Sequence, residues 1–276
     1  MTLRRFFRTP KGSLTLVLAL LVVLAGTHER AFMLPGLTGA LVAGMGIDAI
    51  ILRMRKRRWV FPDGALLTGL IVAMVLSPHE AWYVAAITTV VAVLSKYVAR
   101  VRTANVFNPA ALALMSTYFV FGTEQSWWGA LPEAAPPLIV VLIASGVFIA
   151  NRVKKLPVVL SFLGCYYLLF TVTAFVGDPA HVQELYRAPD LHAALYFAFF
   201  MVTDPPTSPP KDRDQLIYGA VVAVVSYAVF ELVGVVYFLL AGLLVANAWE
   251  AWRRHSFTPS APAAPPRHTR PHQPAG

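Results

Sequence analysis

The sequence predicts an all-α, polytopic integral-membrane bundle of about ten transmembrane helices. Three observations carry that expectation. The 276-residue chain is 57% hydrophobic and only 13% charged, with mean hydropathy +0.62, whereas a soluble domain carries about 25% charged residues. Its apolar residues come in blocks broken by short polar stretches, the pattern of a multi-pass protein. Its basic residues gather in alternate breaks between those blocks. Soluble, disordered and collagen-like classes are excluded on composition. The single cysteine, Cys165, excludes an internal disulfide, a CxxC redox pair and a thiolate cage.

Taken in order, Arg4, Arg5, Arg8 and Lys11 precede an apolar run from Leu14 to Ala25. That pattern fits a signal peptide or an uncleaved first span, and the apolar remainder of the chain favours the span. The ten apolar segments are 12–26, 32–52, 60–76, 81–98, 107–122, 136–150, 158–176, 191–203, 215–231 and 233–249. Those at 107–122, 136–150 and 191–203 fall short of the ~20 residues that cross a bilayer straight, so they extend into their flanks or are broken or tilted. The break at Glu231–Gly234 divides a stretch that would be far too long as one span at ~1.5 Å per residue.

With ten spans, 21 of the 23 Lys and Arg residues fall on one side, leaving Arg30 and Arg187 opposite. The positive-inside rule makes that side the cytoplasm, with both termini there. The net charge of +9 then anchors topology and meets anionic lipid heads, and no nucleic acid is implied. The expected organisation is a basic cytoplasmic N-terminus (1–11), a membrane domain (12–249) and a disordered Pro/Ala/His-rich cytoplasmic tail (250–276).

Three motifs interrupt the apolar pattern on the basic side. Phe61-Pro62-Asp63-Gly64, with Thr68-Gly69 one turn on, enters the third segment. Asn105-Val106-Phe107-Asn108-Pro109-Ala110 enters the fifth. Thr203-Asp204-Pro205-Pro206-Thr207-Ser208-Pro209 leaves the eighth, with Tyr218-Gly219 following. Each has a local explanation: Asp63 as a helix cap, Asn108 as an N-cap with Pro109 in the first turn, and the proline run as a rigid turn. Together they gather helix ends and polar side chains, which at membrane depth need partners. The expectation is that Asp63, Asn108, Thr203 and Asp204 approach one another, and that Asp63, Thr68, Asn105, Asn108, Thr203, Asp204 and Thr207 form one binding region. No catalytic or metal-ligating residue stands out. His28, His79, His181 and His192 sit near the other side without ligand spacing, and His268 and His272 lie in the tail. Asp48 is expected to pair with an Arg or Lys at the interface. Trp127 and Trp128 are expected in the interfacial aromatic belt.

The segments PDGALLTGLIVAMVLSP (62–78), SKYVARVRTANVFNPAALAL (95–114) and FFMVTDPPTSPPKDRDQLIYG (199–219), in this order, resemble the RnfD/NqrB family. Members are membrane subunits of ion-translocating electron-transport complexes. The resemblance covers about residues 30–250 and implies ten spans, a fold similar to urea-transporter-type channels built from inverted repeats, and redox partner subunits in and on the membrane. Family members carry FMN covalently on the Thr of an S-G-A-T motif on the outer side. This chain has none, so a non-covalent flavin (FMN or riboflavin) is expected and covalent FMN is not; Thr123 is the nearest threonine. The expected role is a cofactor-holding or non-catalytic subunit of an oxidoreductase complex. A channel for ions or small polar solutes and a membrane anchor for a partner are the alternatives.

Overall fold

The computed structural model describes residues 6–25, 30–101, 104–133, 137–177 and 179–256. Ten helices of eleven residues or more are found among them. These are α1 (Pro10–Ala25), α2 (Arg30–Lys56), α3 (Asp63–Val75), α4 (Trp82–Val98), α5 (Pro109–Phe121), α6 (Leu138–Arg152), α7 (Leu156–Val176), α8 (Asp190–Phe200), α9 (Asp212–Val233) and α10 (Phe238–Ser256). Each falls on one of the ten apolar segments. By length and apolarity, α7, α9 and the stretch Ala31–Lys56 of α2 qualify as membrane-crossing helices, and α1, α3, α4, α5, α6 and α8 are shorter apolar helices. The only strands among the described residues are β1 (Arg100–Val101) and β2 (Ala104–Asn105), an antiparallel pair between α4 and α5. The tail beyond residue 256 lies outside the described residues.

The packing repeats. In the first half α1 packs on α3, α2 on α4, and α4 on α5. In the second half α6 packs on α8, α7 on α9, and α9 on α10. The third helix of each half is short, with 13 residues in α3 and 11 in α8. The two long pairs close over small residues, as helices without a hydrophobic drive between them must. A Cβ on Gly44 of α2 would stand 2.4 Å from Thr89 of α4, and one on Gly219 of α9 would stand 2.6 Å from the Val158 carbonyl of α7.

Side-chain contacts gather the basic segments at one end. Lys11 pairs with Asp63 at 2.9 Å, Arg152 donates to the Arg8 carbonyl at 2.6 Å, and Gln215 donates to the Lys154 carbonyl at 3.0 Å. The opposite end is closed by the segment Gly122–Leu131, which folds back into the bundle. Gln125 bridges to Leu76, Ser126 and Trp127 donate N–H groups to the Val75 carbonyl, and the Trp128 indole donates to the Ala73 carbonyl at 2.6 Å. Trp127 and Trp128 are therefore buried, contrary to their expected place in an interfacial belt. The carbonyls left open where α3 stops take up the loop, because a helix end inside the bundle has no water to turn to.

Candidate functional site

At the basic end, α3 and α5 begin and α8 runs out, and between them lies a cavity of about 450 Å³. Thr68, Asn105, Asn108, Thr203 and Asp204 all line it, with apolar walls from Leu14, Leu67, Ile71, Ile149 and Phe200. Five of the seven residues expected in one region are thus brought together. Asp63 lines an adjoining cavity that shares Gly64, Lys96 and Asn105 with the first. Thr207 stands behind Asp204, its hydroxyl donating to Oδ2 at 2.9 Å.

Local sequence explains each position. Asn108 is the N-cap of α5, its Oδ1 accepting from the Ala111 N–H at 3.1 Å with Pro109 in the first turn. Its other groups reach across the bundle: Nδ2 donates to the Met201 carbonyl at 3.1 Å, and its backbone N–H donates to Asn247 Oδ1 at 2.7 Å. Asn247 Nδ2 in turn donates to the buried Tyr218 hydroxyl. Thr203 donates to the Phe199 carbonyl at 2.6 Å. Asp63 makes no side-chain cap at the start of α3; it pairs with Lys11 instead. Asp48 is buried and accepts from the Tyr97 hydroxyl, so its hydrogen-bond partner is a phenol where a cation was expected.

Sequence reasoning missed the cations of the site. Lys96, read as a topology charge, reaches inward. Its Nζ donates to the Gly64 carbonyl at 2.8 Å and to Thr68 Oγ1 at 2.6 Å. Lys155 is buried and donates to the Ser208 carbonyl at 3.2 Å and to the Pro209 carbonyl. Arg254 donates to the Pro206 and Ser208 carbonyls at 2.8 and 3.0 Å while also holding the buried Glu250. The proline-rich loop has carbonyls without matching N–H groups, and two cations from distant helices supply the donors. The available signal was that shortage of donors in the proline run.

Asp204 is half-buried, at the edge of the cavity. Burial pushes its pKa above the ordinary carboxylate range, opposed by the Thr207 hydrogen bond and by the charges of Lys96, Lys155 and Arg254. Burial likewise pulls Lys155 down to about 8, with Arg254 adding to the fall and Asp204 and Glu250 opposing it.

A flavin ring needs apolar walls for its faces and donors and acceptors at its edge. The cavity supplies both. Most polar atoms of Asn108, Thr203 and Thr68 are committed within the protein, while the Asn105 amide, the remaining Lys96 N–H and Asp204 Oδ1 keep capacity. The residues fit such a group. Thr123, by contrast, is 1% exposed on the closed end. Among the described residues no three His, Cys, Asp or Glu side chains group as a metal site. His192 bonds the Ala130 carbonyl at 3.0 Å, and His181 lies 3.4 Å from Glu231; His28 lies outside the described residues.

These features define a class: a bundle of apolar helices with a cavity at its basic end, apolar in its walls and polar where short helices begin and end. The chain belongs to the NQR2, RnfD, RnfE family, whose model matches residues 4–138 and 134–251. It is similar to the D subunit of the ion-translocating oxidoreductase complex of Haemophilus influenzae, with 31% identity over 111 residues, covering 39% of this chain and 28% of that relative. The protein of the same description from Shewanella amazonensis is 24% identical over 261 residues, covering 69% of this chain and 75% of the relative. The chain spans less than a third of the length of the Haemophilus influenzae relative it matches, and its apolar helices agree with a multi-pass membrane protein.

Proposed function

We propose that this chain is a ten-span subunit of an ion-translocating electron-transport complex, and that its basic-end cavity holds a flavin non-covalently. The observation that carries the reading is the convergence of Thr68, Asn105, Asn108, Thr203, Asp204 and Lys96 on one cavity of about 450 Å³, a size usual for cofactor sites. Asn105, Lys96 and Asp204 would meet the polar edge of the ring. The flavin, when bound, supplies one- and two-electron chemistry; the chain's own residues orient it and exclude water from it. Redox partner subunits, in and on the membrane, would give and take the electrons.

The gathering of the basic loops at one end supports ten crossings with both termini cytoplasmic. The matched helix contacts of α1–α5 and α6–α10 support an inverted repeat. A channel on the same fold is the weaker reading, because Met74, Trp128, Tyr196 and Phe197 are all buried and Trp128 belongs to the loop that closes the other end. The membrane domain from residue 12 belongs to the same proposal, with a tail only beyond 256, because residues 250–256 are the end of α10, with Glu250 buried and Arg254 on the proline loop.

The test is a flavin titration of the purified full-length chain. Quenching of flavin fluorescence is expected, with all flavin lost on denaturation. A fluorescent protein band surviving denaturation would mean covalent attachment, and an absence of binding would remove the cofactor role. Reporter fusions at residues 57 and 154 should read cytoplasmic, and those at 130 and 183 external; a cytoplasmic reading at 130 breaks the ten-span order.

A further inference from the structure

Most cations named so far are engaged within the bundle: Lys96, Arg152, Lys155 and Arg254 all hold carbonyls. Those at the end of α2 are not. Arg53, Arg55, Lys56, Arg57 and Arg58 are exposed, and none of the five stands in an ion pair among the described residues. Two of them lie over aromatic rings instead, Arg53 over Trp59 at 5.9 Å and Arg55 over Tyr97 at 4.5 Å. Trp59 itself is 75% exposed. Topology asks only for cations on this side. It does not ask for a guanidinium stacked on an exposed indole. Nor does it ask for an arginine just past the helix end, where Arg57 takes a left-handed backbone (φ 54°) that usually falls to glycine.

An apolar stripe leads along α2 to these cations. Val42, Gly46, Ile50 and Met54 recur every fourth residue and all are exposed. A Cβ on Gly46 would meet nothing within 4 Å, so the stripe has a notch between Val42 and Ile50. From Val42 to Met54 the helix rises about 18 Å at ~1.5 Å per residue, slightly more than half of the ~30 Å hydrocarbon core. The stripe thus runs the depth of one leaflet, and its cationic end lies at the level of the headgroups. An acidic protein segment matches the cations and leaves the stripe bare. An apolar partner helix matches the stripe and leaves the cations bare. An anionic phospholipid matches both.

We propose that the end of α2 is a binding site for an anionic phospholipid. Guanidinium groups of Arg53 and its neighbours hold the phosphate through charge-assisted hydrogen bonds. Trp59 stands at the interface beside them, and an acyl chain lies along the stripe over Gly46. The inference is independent of what the basic-end cavities hold. It rests only on α2 crossing the membrane, for which its length and apolarity suffice.

Native mass spectrometry of the purified full-length chain tests this, with dioleoyl-phosphatidylglycerol and dioleoyl-phosphatidylcholine added in equal amounts to a neutral detergent. The chain should retain phosphatidylglycerol about tenfold over phosphatidylcholine. Arg53→Gln with Arg58→Gln should remove most of that preference, while Arg55, Lys56 and Arg57 remain to hold the topology. Lys211→Gln with Arg213→Gln, an equal loss of charge at exposed positions of the same end, should leave it in place. Trp59→Ala removes no charge and should still weaken retention several-fold. Equal retention of the two lipids overturns the proposal. So does an equal loss in both double variants, or indifference to the Trp59 change, since either reduces the cluster to diffuse topology charge. Retention of a hexaglutamate peptide that the Arg53 and Arg58 variant loses, with no preference between the lipids, would assign the patch to an acidic protein segment, and the proposal would fall.

Discussion

The two ends of the bundle face the same problem and solve it differently. α3 stops at Val75 and α8 stops at Phe200, both among buried residues, so each leaves carbonyls without helical partners. At the closed end, the loop Gly122–Leu131 supplies backbone N–H groups and one indole, and the space fills. Trp127 and Leu131 take left-handed backbone angles to do so, a strain of about 1–3 kcal/mol each that buried contacts must offset. At the basic end, Asn108 and Thr203 supply the partners instead. Side chains arriving singly satisfy the carbonyls and leave a cavity between them. A cavity is left where helix ends are met by side chains, and a plug forms where they are met by folded backbone.

The comparison can be broken by mutation, most forcefully at the plug. Trp128→Ala should cost about 3–5 kcal/mol, the usual loss for truncating a buried large aromatic, while flavin affinity at the far cavity stays intact. Unfolding in detergent measures the first and fluorescence titration the second. A loss below about 1 kcal/mol would show that the loop does not hold the closed end.

Lys155→Met should cost about 1–3 kcal/mol at neutral pH, because two carbonyls of the proline loop lose their buried donor. Its pH dependence sharpens the point. Burial brings Lys155 to about 8 in the folded protein against its ordinary 10.5. Between those values the unfolded chain binds more protons, so wild-type stability should rise with pH through that window relative to the variant. A difference that does not change with pH would mean that the ammonium is not confined.

The smallest effect on stability is expected from Asp204→Asn, within about 1 kcal/mol. Burial already disfavours the charged carboxylate, and the amide keeps its shape. Flavin affinity should nonetheless fall, since a ring-facing acceptor is altered. Unchanged affinity would reduce Asp204 to a turn residue.

Much of this was legible in the sequence where it depends on neighbours in the chain. The ten helices follow the apolar blocks. Gly234 ends α9 in a left-handed conformation, as the Glu231–Gly234 break implied, and Asn108-Pro109 reads directly as a cap. Five of the seven expected site residues meet at one cavity because helix ends were recognisable from their turn chemistry. What stayed hidden depends on distant contacts. Asn247 lies 139 residues from the Asn108 N–H it accepts, and no local pattern marks it. Lys96 and Lys155 carry charges that topology explains well enough to conceal a second use. Trp127 and Trp128 suit an interface by type, and only the early stop of α3 draws them inside.

The gripping of the proline loop by Arg254, and of the start of α5 by Asn247, has a consequence for biosynthesis. Both residues lie in α10. The cavity walls come from α1, α3, α5, α6, α8 and the proline loop, all of which precede α10 in the chain. Until α10 docks, the Asn108 N–H lacks its acceptor and the carbonyls at Pro206 and Ser208 lack their guanidinium. α10 is thereby the latch of a pocket whose walls are all synthesised before it.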